Sequence, residues 1–420
     1  MIGKFTILAT AASALVLGAI AQDIAIENAK LWDGSKLTED ATIVIRDGKV
    51  VAWDDGALPD GVEAIDAEGA WVTPGIIASF TQAGIVEVGA EDSTNDTVAP
   101  ASPYSAALDM SDAFNPSAAM IDMTRLEGVT RIVVAPGISS SLIGGQGLVA
   151  DTSGTPDSIT KSKAFTYINL GEAGAGVSGG SRPAAWAKLR AALGDARTYP
   201  ARYITSSDGD ALNRIDAQAF SAAARGQQLI LIGVSRASDI RQVIALTEQY
   251  PNLKIALVGA QEGWMVADEL AAADIPVIID PFDNLPSRFE NLGATQKNAR
   301  RLIEAGVKTA FYYSDDASHQ ARLTLQSAGN AVGSGVDFED AMRAITSAPA
   351  EIFGLDGYGS LTTGSAGDLV IWDGDPLEVM SAPTRVFIDG EEQTMESRQT
   401  KLRDRYLDLD ESEKPLAYRR

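Results

Sequence analysis

The sequence predicts an α/β protein, on three observations: short apolar runs alternating with amphipathic stretches through its middle, a repeat of roughly thirty residues per unit there, and β-rich segments at both ends. In the middle, Leu229–Ile232 is followed by a helix over Ala237–Tyr250 and Lys254–Val258 by a helix over Trp264–Ala273. Pro276–Ile279 is then followed by a helix over Gln296–Ala305, before Lys308–Tyr313. Strands joined through helices run parallel, so this rhythm suits either a closed (β/α)8 barrel or a doubly wound open sheet.

The ends differ in texture. Ile24–Ala29, Ala41–Ile45 and Val50–Trp53 are short strands, and Asp47-Gly48 marks a hairpin between the last two. Leu369–Trp372 and Arg385–Ile388 repeat the same strand-and-turn style near the other end. Residues 22–72 plus 362–395 are therefore expected to form one small β-sandwich from both termini, enclosing the βα region 73–361. Two stretches break the βα rhythm, Gly89–Pro116 and Pro136–Thr155, and both read as long loops at the mouth of a barrel. Residues 396–420 alternate charges without an apolar stripe and read as a charged tail that frays or packs late.

Lys4 precedes an apolar run over Phe5–Ile20, and Ala19-Ile20-Ala21 has the small-x-small form cut by a signal peptidase. Residues 1–21 thus read as a signal peptide cleaved before Gln22, which places the mature chain in the periplasm or outside the cell. The run is shorter than the ~20 apolar residues of a spanning helix. No cysteine occurs, so disulfides and thiolate metal sites are excluded and stability must come from the core. An apolar fraction of 45% is enough for that. The net charge of −23 repels phosphate backbones and anionic lipid, which argues against nucleic acid and membrane partners.

Several motifs in order along the chain resemble the amidohydrolase superfamily, most closely its exported imidazolonepropionase-like branch. They are Ile26–Gly34, Thr73-Pro74-Gly75-Ile76-Ile77, Ile143–Gly147, Gln261-Glu262-Gly263-Trp264, Ala344–Ala350 and Gly367–Leu377. The resemblance covers nearly all of the mature chain and decides for a TIM-like (β/α)8 barrel at 73–361. It also implies a hydrolase acting on carbon–nitrogen bonds other than peptide bonds, in cyclic amides or similar small molecules, with zinc or iron as cofactor.

In that family a His-x-His pair on the first barrel strand holds the metal, with histidines after the fifth and sixth strands and an aspartate after the eighth. Here Phe80 and Gln82 take the first two places, Gly233-Val234-Ser235 ends the fifth strand, and Gly259 or Ala260 stands at the sixth. Only Asp315 is kept, and the chain holds one histidine, His319. Zinc needs three protein ligands in a catalytic site, and without it nothing lowers a water's pKa toward ~7. No metal is therefore expected, and a second function stands beside the first: a metal-free pseudoenzyme that binds a small-molecule ligand or serves as partner subunit to an active paralogue, as a homo- or hetero-oligomer.

The candidate catalytic residues are Asp315, facing the mouth, and His319, close enough in sequence to couple with it. Phe80, Gln82, Trp264, Tyr312 and Tyr313 fall at or near strand ends, where they form a ligand-binding floor or simply fill the volume of the missing imidazoles. Gln146, among Gly144, Gly145 and Gly147, reads as an amide on a loop over the mouth, although glycines there also mark a turn of positive φ.

Overall fold

The computed structural model describes residues 23–52, 58, 61–204 and 210–407. The segment read as a signal peptide, Trp53 and the last part of the charged tail lie outside the described residues. Residues 398–407 of that tail form a helix that buries no side chain. Among the described residues no helix is long and apolar enough to cross a membrane.

One eight-stranded sheet joins both ends of the chain. It contains β1 (Ile24–Trp32), β2 (Leu37–Arg46), β3 (Lys49–Val51), β4 (Glu63–Asp66) and β5 (Trp71–Pro74), with three strands from the far end, β14 (Leu369–Trp372), β15 (Pro383–Ile388) and β16 (Glu391–Glu392). The hydrogen-bonded order is β16-β15-β14-β5-β1-β2-β3, with β4 beside β1. The ends meet because β5 pairs with β1 on one side and β14 on the other. Ile24, Ile26, Ile43 and Ile45 from the front share one apolar cluster with Leu369, Ile371 and Phe387 from the back. Asp47 and Gly48 form the two-residue turn between β2 and β3, both at positive φ, as a tight hairpin requires.

The second sheet is the barrel: β6 (Ile76–Thr81), β7 (Val129–Val134), β8 (Ile143–Asp151), β9 (Ile159–Asn169), β10 (Leu229–Val234), β11 (Lys254–Gly259), β12 (Val277–Ile279) and β13 (Thr309–Phe311), side by side in that order. It is nearly closed. The Ser79 hydroxyl on β6 donates to the Phe311 carbonyl on β13 at 2.5 Å across the remaining gap. Ile77, Val133, Val149, Phe165, Leu231, Ala256, Ile278 and Ala310 fill the interior, one from each strand in turn. The helices around it start where the sequence provides caps, as at Ser181 for Arg182–Arg197 and Asn213 for Arg214–Ala224.

The third barrel position departs from the sequence expectation. Region 136–155 is not a long loop, since Ile143–Asp151 is a fully buried strand that runs antiparallel to both β7 and β9. Gly145 does take a positive φ of 135°, while Gly144 and Gly147 are small for packing. A β-carbon at Gly147 would collide with the Phe165 ring, so the residue is small because an aromatic side chain crosses its face. Region 89–116 lies along the outside of this strand, where the Gln146 backbone nitrogen donates to the Leu108 carbonyl at 2.7 Å. Asp216 pins it by accepting from the backbone nitrogens of Ser105 and Ala107, both at 2.9 Å.

Candidate functional site: the mouth of the barrel

At the C-terminal ends of the strands, where barrels of this kind carry their sites, lies a small cavity of about 160 Å³. Its floor is aromatic. Phe80, ending β6, meets the Tyr167 ring of β9 edge-on at 5.9 Å between centroids and the Tyr312 ring after β13 at 5.4 Å. Tyr167 and Tyr312 are each 8% exposed. Burial pushes both phenols up, so they remain protonated donors at neutral pH. Tyr167 Oη accepts from Asn169 Nδ2 at 3.4 Å, whereas the Tyr312 hydroxyl, facing the cavity, has no hydrogen-bond partner among the described residues.

The walls come from three further elements. Gly233 of β10 and Gly259 of β11 line the cavity as bare backbone. A β-carbon at Gly233 would lie 2.8 Å from both Asn169 Nδ2 and Tyr167 Oη, so the volume of a fifth-strand side chain is already occupied by those two residues. Arg288 and Glu290 reach in from the segment after β12. Glu290 Oε2 accepts from the Glu172 backbone nitrogen at 2.6 Å and from Arg182 at 3.3 Å, and its burial nonetheless raises its pKa. Beside this wall, Asp280 at the end of β12 accepts from the Phe282 nitrogen at 2.9 Å and from the nitrogen and hydroxyl of Ser314 at 2.9 and 2.8 Å.

The residues singled out from sequence separate. Phe80 lines the cavity, and so does Tyr312, while Tyr313, on the opposite side of the alternating backbone, does not. Gln82 is half-buried next to the cavity residues but does not line it; its backbone nitrogen donates to the Ala317 carbonyl at 2.9 Å. Gln146 is corrected: it sits on β8 with the outward-facing Leu148 and Ala150, its amide donating to the Ala106 carbonyl at 3.2 Å and accepting from Gln228 at 3.3 Å. Trp264 is corrected too, because it belongs to the outer helical layer. Its indole donates to the Gly293 carbonyl at 2.8 Å and the Arg301 guanidinium stacks on it at 4.2 Å.

The supposed His319–Asp315 couple does not form. His319 Nδ1 meets Ser318 Oγ at 2.7 Å and Asp316 Oδ1 at 3.3 Å, while Asp315 is exposed and outside the cavity. Burial pushes the Asp316 carboxyl up, but its bonds from Ser318 and His319 outweigh that and hold it below the usual range. Tyr167, Asn169, Arg288, Glu290 and Asp280 were not anticipated. For Asp280 a signal existed, as a carboxylate directly after the apolar run Val277–Ile279 marks a strand end facing the mouth.

A larger open recess of about 1130 Å³ lies at the opposite, N-terminal rim. It gathers no aromatic floor, and its Lys161 is committed to the carbonyls of Phe353 and Gly354 at 2.7 and 3.2 Å. Conservation of that rim in barrels serves stability rather than chemistry.

Residues 243–395 match the sequence profile of the Amidohydrolase family. The matched segment runs from within the helix Ala237–Gln249 through β16, so it takes in the later barrel strands and the far-end strands of the terminal sheet. Amidohydrolase tasK of Hapsidospora irregularis is 24% identical over 396 residues, covering 86% of this chain. The chain spans only 40% of that relative's length. Among solved structures, an amidohydrolase from Thermotoga maritima MSB8 superimposes with a TM-score of 0.79 at 24% identity, covering 88% of this chain and 99% of that one. N-isopropylammelide isopropylaminohydrolase from Burkholderia multivorans ATCC 17616 gives 0.51 at 13% identity over 88% and 98%. Counted along the barrel from β6, β10, β11 and β13 hold the fifth, sixth and eighth positions. Among the described residues no three His, Cys, Asp or Glu side chains gather as a metal site.

Proposed function

We propose that this chain is a metal-free member of its superfamily that binds a small polar molecule in the barrel mouth and does not hydrolyse it by metal-activated water. The observation that carries this reading is at Gly233. Where a metal-binding member of the family would project an imidazole, Asn169 and Tyr167 fill the space, and Phe80 closes the first-strand position with a phenyl ring. The donor set present does not fit zinc or iron, since phenyl, glycine and neutral carboxamide offer no nitrogen lone pair of the required kind and Asp315 stands apart.

What the mouth offers instead is binding chemistry. Two buried phenols, the Asn169 amide and the Arg288 guanidinium surround an apolar floor, a combination that orients a small planar ligand through a few fixed donors. The Tyr312 hydroxyl is the clearest sign, because it lines the cavity without a hydrogen-bond partner among the described residues and is free to donate to a ligand oxygen.

The family reading, hydrolysis of a carbon–nitrogen bond in a cyclic amide, rests on the resemblance to amidohydrolases and on structural neighbours such as N-isopropylammelide isopropylaminohydrolase, and is the outcome that would displace this proposal. Elemental analysis of the purified mature protein is expected to show neither zinc nor iron near one equivalent, and a stoichiometric ion would overturn the metal-free reading. A thermal-shift screen of small carboxamides and carboxylates should find stabilising compounds whose effect is lost in Tyr312→Phe. The proposal includes export, tested by whether the mature chain begins at Gln22, and allows pairing with an active paralogue in the same compartment.

A further inference from the structure

We infer that the segment following β12 is the interface of a homodimer, in which a second copy of this chain covers the face beside the barrel mouth. Five large apolar side chains stand out on this face. Phe282 is 51% exposed, Leu285 72%, Phe289 83% and Leu292 64%, and Met265, whose methyl group lies against Gly293 of the same segment, is 42% exposed.

These side chains cannot turn inward, because the backbone between them is pinned from the other side. Asp280 holds the Phe282 nitrogen at 2.9 Å, Asn291 Oδ1 holds the Arg288 nitrogen at 2.8 Å, Glu290 holds the Glu172 nitrogen at 2.6 Å, and Glu262 holds the Gly293 nitrogen at 3.0 Å. The segment thus spends its polar groups on the barrel and presents its apolar ones to water, the reverse of an ordinary surface loop. None of the described residues of the chain covers them.

Area selects a second copy. A large side chain covers roughly 150–250 Å² when fully exposed, so five at these exposures present on the order of 500 Å². That is the size of the largest apolar patches on monomers, which are commonly functional. Two such faces opposed across a two-fold axis remove on the order of 1,000 Å² from water, about the minimum a biological interface needs, before the polar rim around them is counted. The net charge of −23 argues against an anionic lipid surface as occupant. Because the same segment sends Arg288 and Glu290 into the mouth, the partner would also roof the cavity.

Sedimentation velocity of the full mature chain from nanomolar to high micromolar concentration tests this directly. Wild type should pass from monomer to dimer. Phe289→Asp and Leu285→Asp should each weaken dimerisation by at least about tenfold, the scale of a central interface side chain. Met380→Asp, which changes a side chain 89% exposed on the sheet domain, should leave dimerisation unchanged. Added salt should strengthen the dimer, since it screens repulsion between acidic monomers without weakening apolar contact. A chain that stays monomeric throughout overturns the inference, including one that binds lipid vesicles instead. So does a dimer indifferent to Phe289→Asp and Leu285→Asp, or one equally sensitive to Met380→Asp. Matching thermal unfolding of variants and wild type separates a lost interface from a lost fold, and the metal content that tests the proposed function does not bear on this result.

Discussion

Arg131 of the barrel and Asp368 of the terminal sheet meet at 2.7 Å, Nε to Oδ2, in the seam between the two sheets. Arg131 is 1% exposed. Its guanidinium also reaches Asp389 at 2.6 Å and stacks on Tyr358 at 4.2 Å. Burial opposes its charge, and the carboxylates of Asp368 and Asp389 outweigh that cost and hold its pKa above the ordinary value. Breaking such a pair from one side strands a buried charge. Arg131→Met should lower unfolding free energy by about 3–5 kcal/mol, and Arg131→Met with Asp368→Leu should recover part of that loss. Urea denaturation of the three variants measures it.

Gly233 and Asn169 compete for one volume. Gly233→His, which places an imidazole on the fifth strand, should destabilise by about 1–3 kcal/mol through overpacking. Adding Asn169→Ala should relieve much of this, and the non-additivity in a double-mutant cycle is the quantity to read. Additive losses would mean that the two side chains do not meet.

Asp280 makes stability depend on pH in a stated direction. Burial pushes its carboxyl up, past the opposing effect of its bonds to Ser314 and Phe282. The native chain then keeps this proton to higher pH than the unfolded chain, so its contribution is fully present below the unfolded value of about 3.8 and is lost as pH rises through the folded value. Asp280→Asn removes the titration. The stability of wild type minus that of the variant should therefore fall as pH rises above about 4, whatever the constant offset between them, in denaturation series at stepped pH.

Trp264→Phe removes the indole bond to Gly293 and the stacking on Arg301. The expected cost is about 1–2 kcal/mol of stability. Ligand affinity at the mouth should not change, which calorimetric titration of any compound found by thermal shift would check.

The site was legible where a residue's position on a strand decides its environment. Phe80 could be placed at the mouth because strand ends collect there, and Gly233 and Gly259 because an expected imidazole was missing. It was illegible where the partner is distant in sequence. Tyr167 and Asn169 close the fifth-strand position from a neighbouring strand, and Arg288 and Glu290 arrive from a turn-rich segment whose approach depends on Glu290 finding Arg182 and the Glu172 nitrogen. Gln146 misled because glycine signals both turns and close packing, and only the Phe165 ring across Gly147 distinguishes them.

By itself the sequence determined the α/β class, the Asp47-Gly48 turn and the meeting of both ends in one sheet, since these follow from local periodicity and turn chemistry. The tertiary structure alone decided that the third barrel strand runs backwards, that His319 faces Asp316 rather than Asp315, and that the Phe80, Tyr167 and Tyr312 rings meet at the mouth. Those outcomes depend on which side chains compete for the same volume once the barrel closes, and no one-dimensional pattern carries that information.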